Sequence, residues 1–205
     1  MRRPGFIALQ AGNPSGLLGR LIAWVMAYET AGHNAAAQQA LLLEPTDRVL
    51  ELGFGHGRTL ESIARATPEG FVAGVDHSAE MLRVASERCA QLIEAHRVVL
   101  TCGDSRALPY PNEHFDKALA VHTIYFWTRP TEHLRELARV LRPGGPLILG
   151  FRPKDDPASR DFPEGVYTFY GRDEVRELLV GAGFVDVDWP CVSPSFVVAR
   201  ARWAP

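Results

Sequence analysis

The sequence predicts an α/β fold with a doubly wound sheet, mostly parallel and with an antiparallel final strand. From Asp47 onward, short apolar runs alternate with amphipathic helical segments, which is the pattern of βαβ units. A glycine cluster directly follows the first apolar run. Two last apolar runs are separated only by a short Pro/Ser turn, which favours antiparallel pairing. The 205 residues suit one domain of this kind.

Residues 1–44 are predicted to form an N-terminal helical cap that belongs to the same domain as residues 45–205. Apolar side chains in residues 17–26 recur at the i, i+3, i+4 spacing of a helix face. Ser15 is the expected N-cap of this first helix and Gly32 its expected stop. We therefore expect the cap to lie on the sheet domain through its apolar face.

The remaining elements follow from periodicity and from turn residues. The predicted strands are 48–52, 71–76, 98–102, 115–121, 146–151, 185–189 and 196–201. Two helices are predicted at 34–43 and 172–181. Three more are predicted to begin near Gly57, Ser78 and Thr131. Residues 152–171, rich in proline and charge, are predicted to form a long loop, and long loops in compact domains are often functional.

Composition excludes several classes of protein. The 22 Lys and Arg against 24 Asp and Glu leave a net charge of −2, so no nucleic-acid partner is expected. Cys89, Cys102 and Cys191 form no CxxC pair, so neither a disulfide framework nor a metal site is expected. Cys102 is predicted to be a buried strand residue. No apolar run reaches the roughly 18–20 residues of a membrane span, and the expected location is cytoplasmic.

The glycine cluster carries most of the functional information. Gly53, Gly55 and Gly57 lie between the first strand and the first helix of the sheet domain. Glycine tolerates positive φ and places no Cβ between the backbone and a ligand. The helix that follows presents its free N–H groups and the positive end of its dipole. This turn is therefore a candidate ligand site, although a tight turn without a ligand would use the same residues.

Two details narrow the chemical class of the ligand. The spacing is G-x-G-x-G, and Arg58 stands where the third glycine of a dinucleotide site would be. Glu51, two residues before the first glycine, would repel a pyrophosphate but suits a ligand with an amino group and a sulfonium. The segment resembles the class I S-adenosylmethionine-dependent methyltransferases, whose first motif reads E/D-x-G-x-G-x-G. The resemblance implies a Rossmann-like fold and S-adenosyl-L-methionine as cofactor.

The resemblance continues along the chain in the family's order. Asp76 closes the second strand, where the family's acidic residue holds the ribose hydroxyls, and His77 follows it. Met81 falls on the first turn of the next helix, as does the family's apolar contact to adenine. Asp104 and Ser105 follow the third strand, matching the acidic residue near the adenine amino group. These residues are the implied cofactor site, together with Glu51 and the three glycines.

The subtype that the chain resembles most is the ubiquinone-biosynthesis-like group, which acts on small molecules. Its helical cap over the cofactor implies Met26 and Asn34 as further cofactor neighbours. The Asn/Asp-Pro-Pro-Tyr/Phe motif used on amide or base nitrogens is absent. The resemblance therefore implies a small-molecule methyl acceptor as partner.

Candidate catalytic residues lie after the fourth strand. His122 stands at the strand end, where ligands bind in open α/β sheets, and it is either a base or a polar group satisfied by the protein. Tyr125, Phe126 and Trp127 either pack against the cap or form a wall around acceptor and methyl donor. His33, beside the cap, is a second candidate base.

The predicted function is transfer of a methyl group from S-adenosylmethionine to a small-molecule O, N, C or S nucleophile by in-line displacement. One alternative is a protein that binds the cofactor and has lost catalysis. The other is an NAD-dependent oxidoreductase, which the glycine spacing and the lack of a recognisable catalytic Tyr-x-x-x-Lys disfavour.

Overall fold

Helices and strands alternate along the computed structural model, which describes residue 16, residues 28–163 and residues 165–205. The helices are α1 (Ala31–Ala40), α2 (Arg58–Ala66), α3 (Ala79–Arg88), α4 (Ala90–Glu94), α5 (Pro130–Val140) and α6 (Arg172–Gly181). The strands are β1 (Arg48–Leu52), β2 (Phe71–Asp76), β3 (Val98–Cys102), β4 (Lys117–Val121), β5 (Pro146–Phe151), β6 (Phe184–Val192) and β7 (Val197–Trp203). Two short 3₁₀ helices cover Ile124–Phe126 and Pro157–Asp161.

The seven strands form one sheet in the order β3-β2-β1-β4-β5-β7-β6. The pairings from β3 to β5 are parallel, and β7 is antiparallel to both of its neighbours. This confirms the predicted doubly wound sheet with an antiparallel final strand. The strand order reverses between β1 and β4, the position at which open α/β sheets bind ligands beyond the carboxyl ends of their strands.

Two apolar layers cover the faces of the sheet. One contains Leu134 and Leu137 of α5 with Val175 and Leu179 of α6, all fully buried. The other contains side chains of α1, α2 and α3. Full burial of such a side chain contributes about 1.5–3 kcal/mol, so the layers rather than helix propensity hold these amphipathic helices in place.

The described part of the predicted cap belongs to one of these layers. Ala37 and Leu41 are buried against the sheet, and α1 contacts β4, β5 and β7. Helix α1 is therefore a core element that packs directly on the sheet. The first predicted helix, with Ser15 and Met26, lies outside the described residues, and the boundary at residue 44 stays a prediction.

Element boundaries were predicted well except where tertiary contacts set them. β4 begins at Lys117, because Phe115 makes only an isolated bridge to Leu141. The helix predicted at 34–43 begins at Ala31, so the predicted stop at Gly32 is wrong and this glycine lies inside α1. Cys102 is exposed rather than buried, because β3 is an edge strand. β6 extends beyond its predicted end, with two irregularities in its pairing to β7.

Candidate active site

A cavity of about 510 Å³ opens beyond the carboxyl ends of β1, β2 and β4. Most of the predicted site residues line it. They are Asn34, Glu51, Gly53, Gly55, Asp76, His77, Met81, Asp104, Ser105, His122 and Tyr125. Gly57 is not among the lining residues, and Met26 lies outside the described part of the chain. Because these residues come from five separate stretches of the chain, the fold itself assembles the site.

The three glycines of the turn all have positive φ, at 71°, 53° and 78°, but their roles differ. A Cβ on Gly53 would lie 2.3 Å from Thr123 Cγ2, and one on Gly57 would lie 2.9 Å from Ala85 Cβ. Gly53 and Gly57 therefore allow close packing within the protein. A Cβ on Gly55 would meet no described atom within 4 Å, and Gly55 lines the cavity. Gly55 is the position at which a ligand can approach the backbone.

Asp76 holds this turn against α3. One carboxylate oxygen accepts a hydrogen bond from the Gly55 N–H and the other from the Ser78 N–H, both at 2.9 Å. Ser78 caps α3 by accepting from the Met81 N–H at 3.2 Å, and the Met81 side chain is buried at the cavity wall. The His77 ring is half exposed, with Nδ1 3.8 Å from Asp76. Asp76 is thus both a structural anchor and a cavity group with oxygen lone pairs for a further donor.

Glu51 is a buried carboxyl group without a complete set of partners. Only 4% of the residue is exposed, and Oε2 has no hydrogen-bond partner among the described residues. Burial, reinforced by the charge of Asp76, raises the pKa of Glu51 well above its ordinary value. A buried charge is costly unless it is paired, so the ionised form needs a cation from a ligand.

The far end of the cavity carries a second polar group. Asp104 is exposed and makes a bidentate pair with Arg106, which lowers the pKa of Asp104 to about 2. Ser105 Oγ lies 2.7 Å from His133 Nδ1, and the His133 ring stacks on Trp127 at 4.9 Å. Sequence reasoning missed His133 as a lining residue. The available signal was a histidine beside the apolar stripe of α5.

His122 and Tyr125 meet, and His33 joins them from α1. His122 Nδ1 lies 2.9 Å from Tyr125 Oη, and His122 Nε2 lies 3.0 Å from His33 Nδ1. Burial lowers the pKa of His122 to about 3, with contributions from His33 and Arg152. His122 is therefore neutral at physiological pH. Sequence reasoning named all three side chains but not their contact.

An aromatic chamber adjoins these polar groups. It is formed by Tyr125, Phe126, Phe162, Tyr167 and Phe169, all of which line the cavity. Their rings contact one another at centroid distances from 4.9 to 6.1 Å. Three of the five rings come from the predicted loop 152–171, which therefore lies over the site.

Comparison with known proteins agrees with this geometry. Residues 49–145 match a family model described as a methyltransferase domain. The chain is 28% identical over 165 residues to the uncharacterized methyltransferase YdaC of Bacillus subtilis, covering 80% of this chain and 86% of that protein. It is 32% identical over 176 residues to the 27-O-demethylrifamycin SV methyltransferase of Amycolatopsis mediterranei, covering 80% of this chain but only 64% of that longer protein.

A solved structure shows the same architecture. The S-adenosylmethionine-dependent methyltransferase of Thermotoga maritima, described as a possible histamine N-methyltransferase, aligns with a TM-score of 0.66 at 26% identity. The alignment covers 87% of this chain and 96% of that one. The Rossmann-like sheet, the glycine turn and the cavity are those expected of an S-adenosylmethionine-dependent methyltransferase. Residues 49–145 belong to a methyltransferase domain family, and the comparisons support a class I S-adenosylmethionine-dependent methyltransferase.

Membership of this family implies S-adenosylmethionine as the cofactor, and the described residues fit it. The unpartnered Glu51 oxygen suits a ligand that carries positive charge, and the open space at Gly55 suits a ligand that lies against the backbone.

No group of three or more histidine, cysteine, aspartate or glutamate side chains within the described residues could hold a metal ion. No helix in that same part of the chain is long and apolar enough to cross a membrane.

Proposed function

We propose that this chain transfers the methyl group of S-adenosylmethionine to a small acceptor with a flat, apolar body. One observation carries the proposal: a single cavity joins the Glu51–Gly55–Asp76 region to the aromatic chamber. A donor held at the first region and an acceptor held in the second would share one enclosed space. The rifamycin relative, whose name specifies O-methylation of a small molecule, supports this acceptor class.

The chamber favours flat apolar molecules because its surfaces are aromatic faces. Tyr167 and Phe169 are stacked with ring centroids 5.8 Å apart, and the Thr168 N–H donates to the Tyr125 carbonyl at 3.0 Å. The backbone bond holds this part of the loop against the end of β4. Aromatic rings pack well against one another in offset or edge-to-face arrangements, so a flat acceptor gains contact area here.

When bound, S-adenosylmethionine supplies an electrophilic methyl group on a positively charged sulfur. The protein's residues align the reactants and exclude water, the contributions that matter most in a direct displacement. We propose that Glu51 compensates the donor's positive charge, that Asp76 accepts hydrogen bonds from its ribose, and that Met81 and Ser105 lie at the adenine end. Asn34, His77 and Asp104 complete that half of the cavity.

Calorimetry and a transfer assay test the proposal together. We expect S-adenosylhomocysteine to bind more tightly than NAD, and labelled methyl groups to reach members of a panel of phenols, amines, thiols and carbon acids. Tighter binding of NAD would establish the oxidoreductase alternative. Cofactor binding without transfer to any class would favour the alternative that catalysis has been lost. The cytoplasmic location stays a prediction.

The chamber makes a specific prediction for Tyr167→Ala. Removing this ring should raise the KM of an accepted aromatic substrate by about two- to twelvefold, as expected for the loss of one aromatic contact of about 0.5–1.5 kcal/mol. The affinity for S-adenosylhomocysteine should not change. Tyr170→Ala is the matched control, because Tyr170 lies outside the cavity lining. Equal effects of the two substitutions would place the acceptor elsewhere.

Glu51→Gln should change the dependence of stability on pH. The folded-state pKa of Glu51 is raised, so its protonated form is favoured and its contribution to stability is complete below the unfolded value of about 4.3. That contribution is lost as the pH rises through the folded-state pKa. We therefore expect the free energy of unfolding of Glu51→Gln to increase relative to that of the wild type as the pH rises. Urea unfolding at several pH values measures this difference. A difference that is the same at every pH would show that Glu51 does not titrate in this way.

A further inference from the structure

Three polar side chains lie in one hydrogen-bonded line along the cavity wall. Tyr125 Oη is 2.9 Å from His122 Nδ1, and His122 Nε2 is 3.0 Å from His33 Nδ1. They come from the 3₁₀ helix after β4, from the end of β4 and from α1. All three line the cavity, so an acceptor in the aromatic chamber lies within reach of the line.

The main-chain N–H of Arg152 donates to the Tyr125 hydroxyl oxygen and so occupies one of its two lone pairs. The contacts to the two histidines are compatible with either direction of donation. The direction that leaves the other lone pair of Tyr125 open to an acceptor has Tyr125 donating to His122 Nδ1 and His122 Nε2 donating to His33 Nδ1. In this arrangement the only acceptor site left within the line is on the Tyr125 oxygen.

The central member is held in a strained conformation. His122 has a φ of 57°, in the left-handed region, and its N–H donates to the Gly150 carbonyl at 2.8 Å. Non-glycine residues rarely occupy this region, and such strain clusters at active sites and ligand clamps. At the far end, the His33 ring stacks on Phe196 with centroids 4.2 Å apart, which fixes its plane. The hydrogen bond from Arg152 to Tyr125 and the stacking of His33 on Phe196 thus position the two partners of His122.

We infer that Tyr125, His122 and His33 form a one-way proton relay that takes the proton of an acceptor hydroxyl at Tyr125 and delivers it to His33. The atom methylated is then a hydroxyl oxygen. The inference rests on the proposed methyl transfer and names its nucleophile. Tyr125 contacts the acceptor, and His122 and His33 act through it.

The atoms and charges balance. The acceptor O–H bond breaks and its hydrogen passes to Tyr125 Oη, the Tyr125 hydrogen passes to His122 Nδ1, and the His122 Nε2 hydrogen passes to His33 Nδ1. The acceptor oxygen forms a bond to the methyl carbon as the carbon–sulfur bond breaks, and that electron pair neutralises the sulfur. The positive charge ends on His33, which releases its proton to water.

The surrounding charges favour a brief passage of the proton. Burial lowers the pKa of both His33 and His122, and the charge of Arg152, which pairs with Asp156, lowers both further. Two glutamate side chains, Glu29 and Glu51, also line this cavity. Because the protonated form of each imidazole is unfavourable, neither histidine retains the proton, and it passes on to water.

Nuclear magnetic resonance of the free protein with ¹⁵N-labelled histidine tests the direction without any acceptor. We expect both His122 and His33 to carry hydrogen on Nε2 at neutral pH. We also expect a through-hydrogen-bond coupling between His122 Nε2 and His33 Nδ1 that disappears in His33→Phe. Hydrogen on Nδ1 of either ring, or no coupling, would overturn the relay, whatever the protein methylates.

Transfer to matched probes tests the nucleophile. With 1-naphthol, Tyr125→Phe should lower kcat on the order of 10²–10⁴-fold, the usual contribution of a positioned acid or base. His33→Asn keeps a hydrogen-bond acceptor but cannot hold a proton, so kcat should fall at least tenfold while KM stays the same. Tyr170→Phe, outside the cavity, should behave as the wild type.

Two further results separate the relay from the proposed function. Imidazole added to His33→Ala should restore turnover in proportion to its concentration, which a structural role would not produce. Full activity of His33→Asn, or methylation of 1-naphthylamine in preference to 1-naphthol, would overturn the inference. Correct tautomers without transfer to any naphthyl probe would instead count against the proposed acceptor class.

Discussion

Gly55→Val should abolish the binding of S-adenosylhomocysteine and leave the protein folded. Gly55 lines the cavity and an added Cβ would meet no described atom within 4 Å, so we expect the valine methyl groups to occupy space that the ligand needs. We expect a loss of at least 100-fold in affinity by calorimetry. A φ of 53° also strains a branched side chain, so some loss of stability should accompany the loss of binding.

Gly144→Val separates these two effects. Gly144 has a φ of 82°, its Cβ would also meet no described atom within 4 Å, and it lies in the turn before β5, outside the cavity lining. Both substitutions carry a similar conformational cost, but only the one at residue 55 should affect ligand affinity. Intact binding in a folded Gly55→Val protein would mean that the glycine turn serves packing alone.

Asp76→Ala should have the second largest effect, on both stability and binding. It removes the acceptor for the Gly55 N–H and the Ser78 N–H, and each buried donor left unpaired costs about 1–3 kcal/mol. The free energy of unfolding should fall accordingly. Affinity for S-adenosylhomocysteine should fall as well, by about 1–3 kcal/mol for the ribose contact.

An analogue without the 2′- and 3′-hydroxyls isolates the ribose contact. Wild-type protein should bind this analogue more weakly than S-adenosylhomocysteine, whereas Asp76→Ala should bind the two with similar affinity. If both proteins lose the same affinity when the hydroxyls are removed, the ribose lies against another group. Asp76 would then act only as the anchor between the glycine turn and α3.

The grouping of Glu51, the glycines and Asp76 at one edge of the sheet could be predicted because its information is local in the chain. Glu51 and the glycines follow one strand directly, and Asp76 ends the next. Parallel strands place their carboxyl ends at one edge, so the strand assignments alone bring these residues together. Alternation of apolar runs with amphipathic helices likewise predicted the sheet. Among the described elements, β4, β6, β7 and α1 differ from their predicted bounds, and the short helix α4 was not predicted.

Tertiary structure decided what depends on contacts between distant segments. His33 and His122 are separated by 89 residues and meet because α1 packs on β4, β5 and β7. The same packing makes α1 a core helix, although its sequence alone also suits a cap. Gly55 and Gly57 are alike in sequence, but Ala85 fills the space beside one while the other faces the cavity. The local sequence pattern determined the elements and the glycine motif. Tertiary packing determined which side chains from distant segments contact one another.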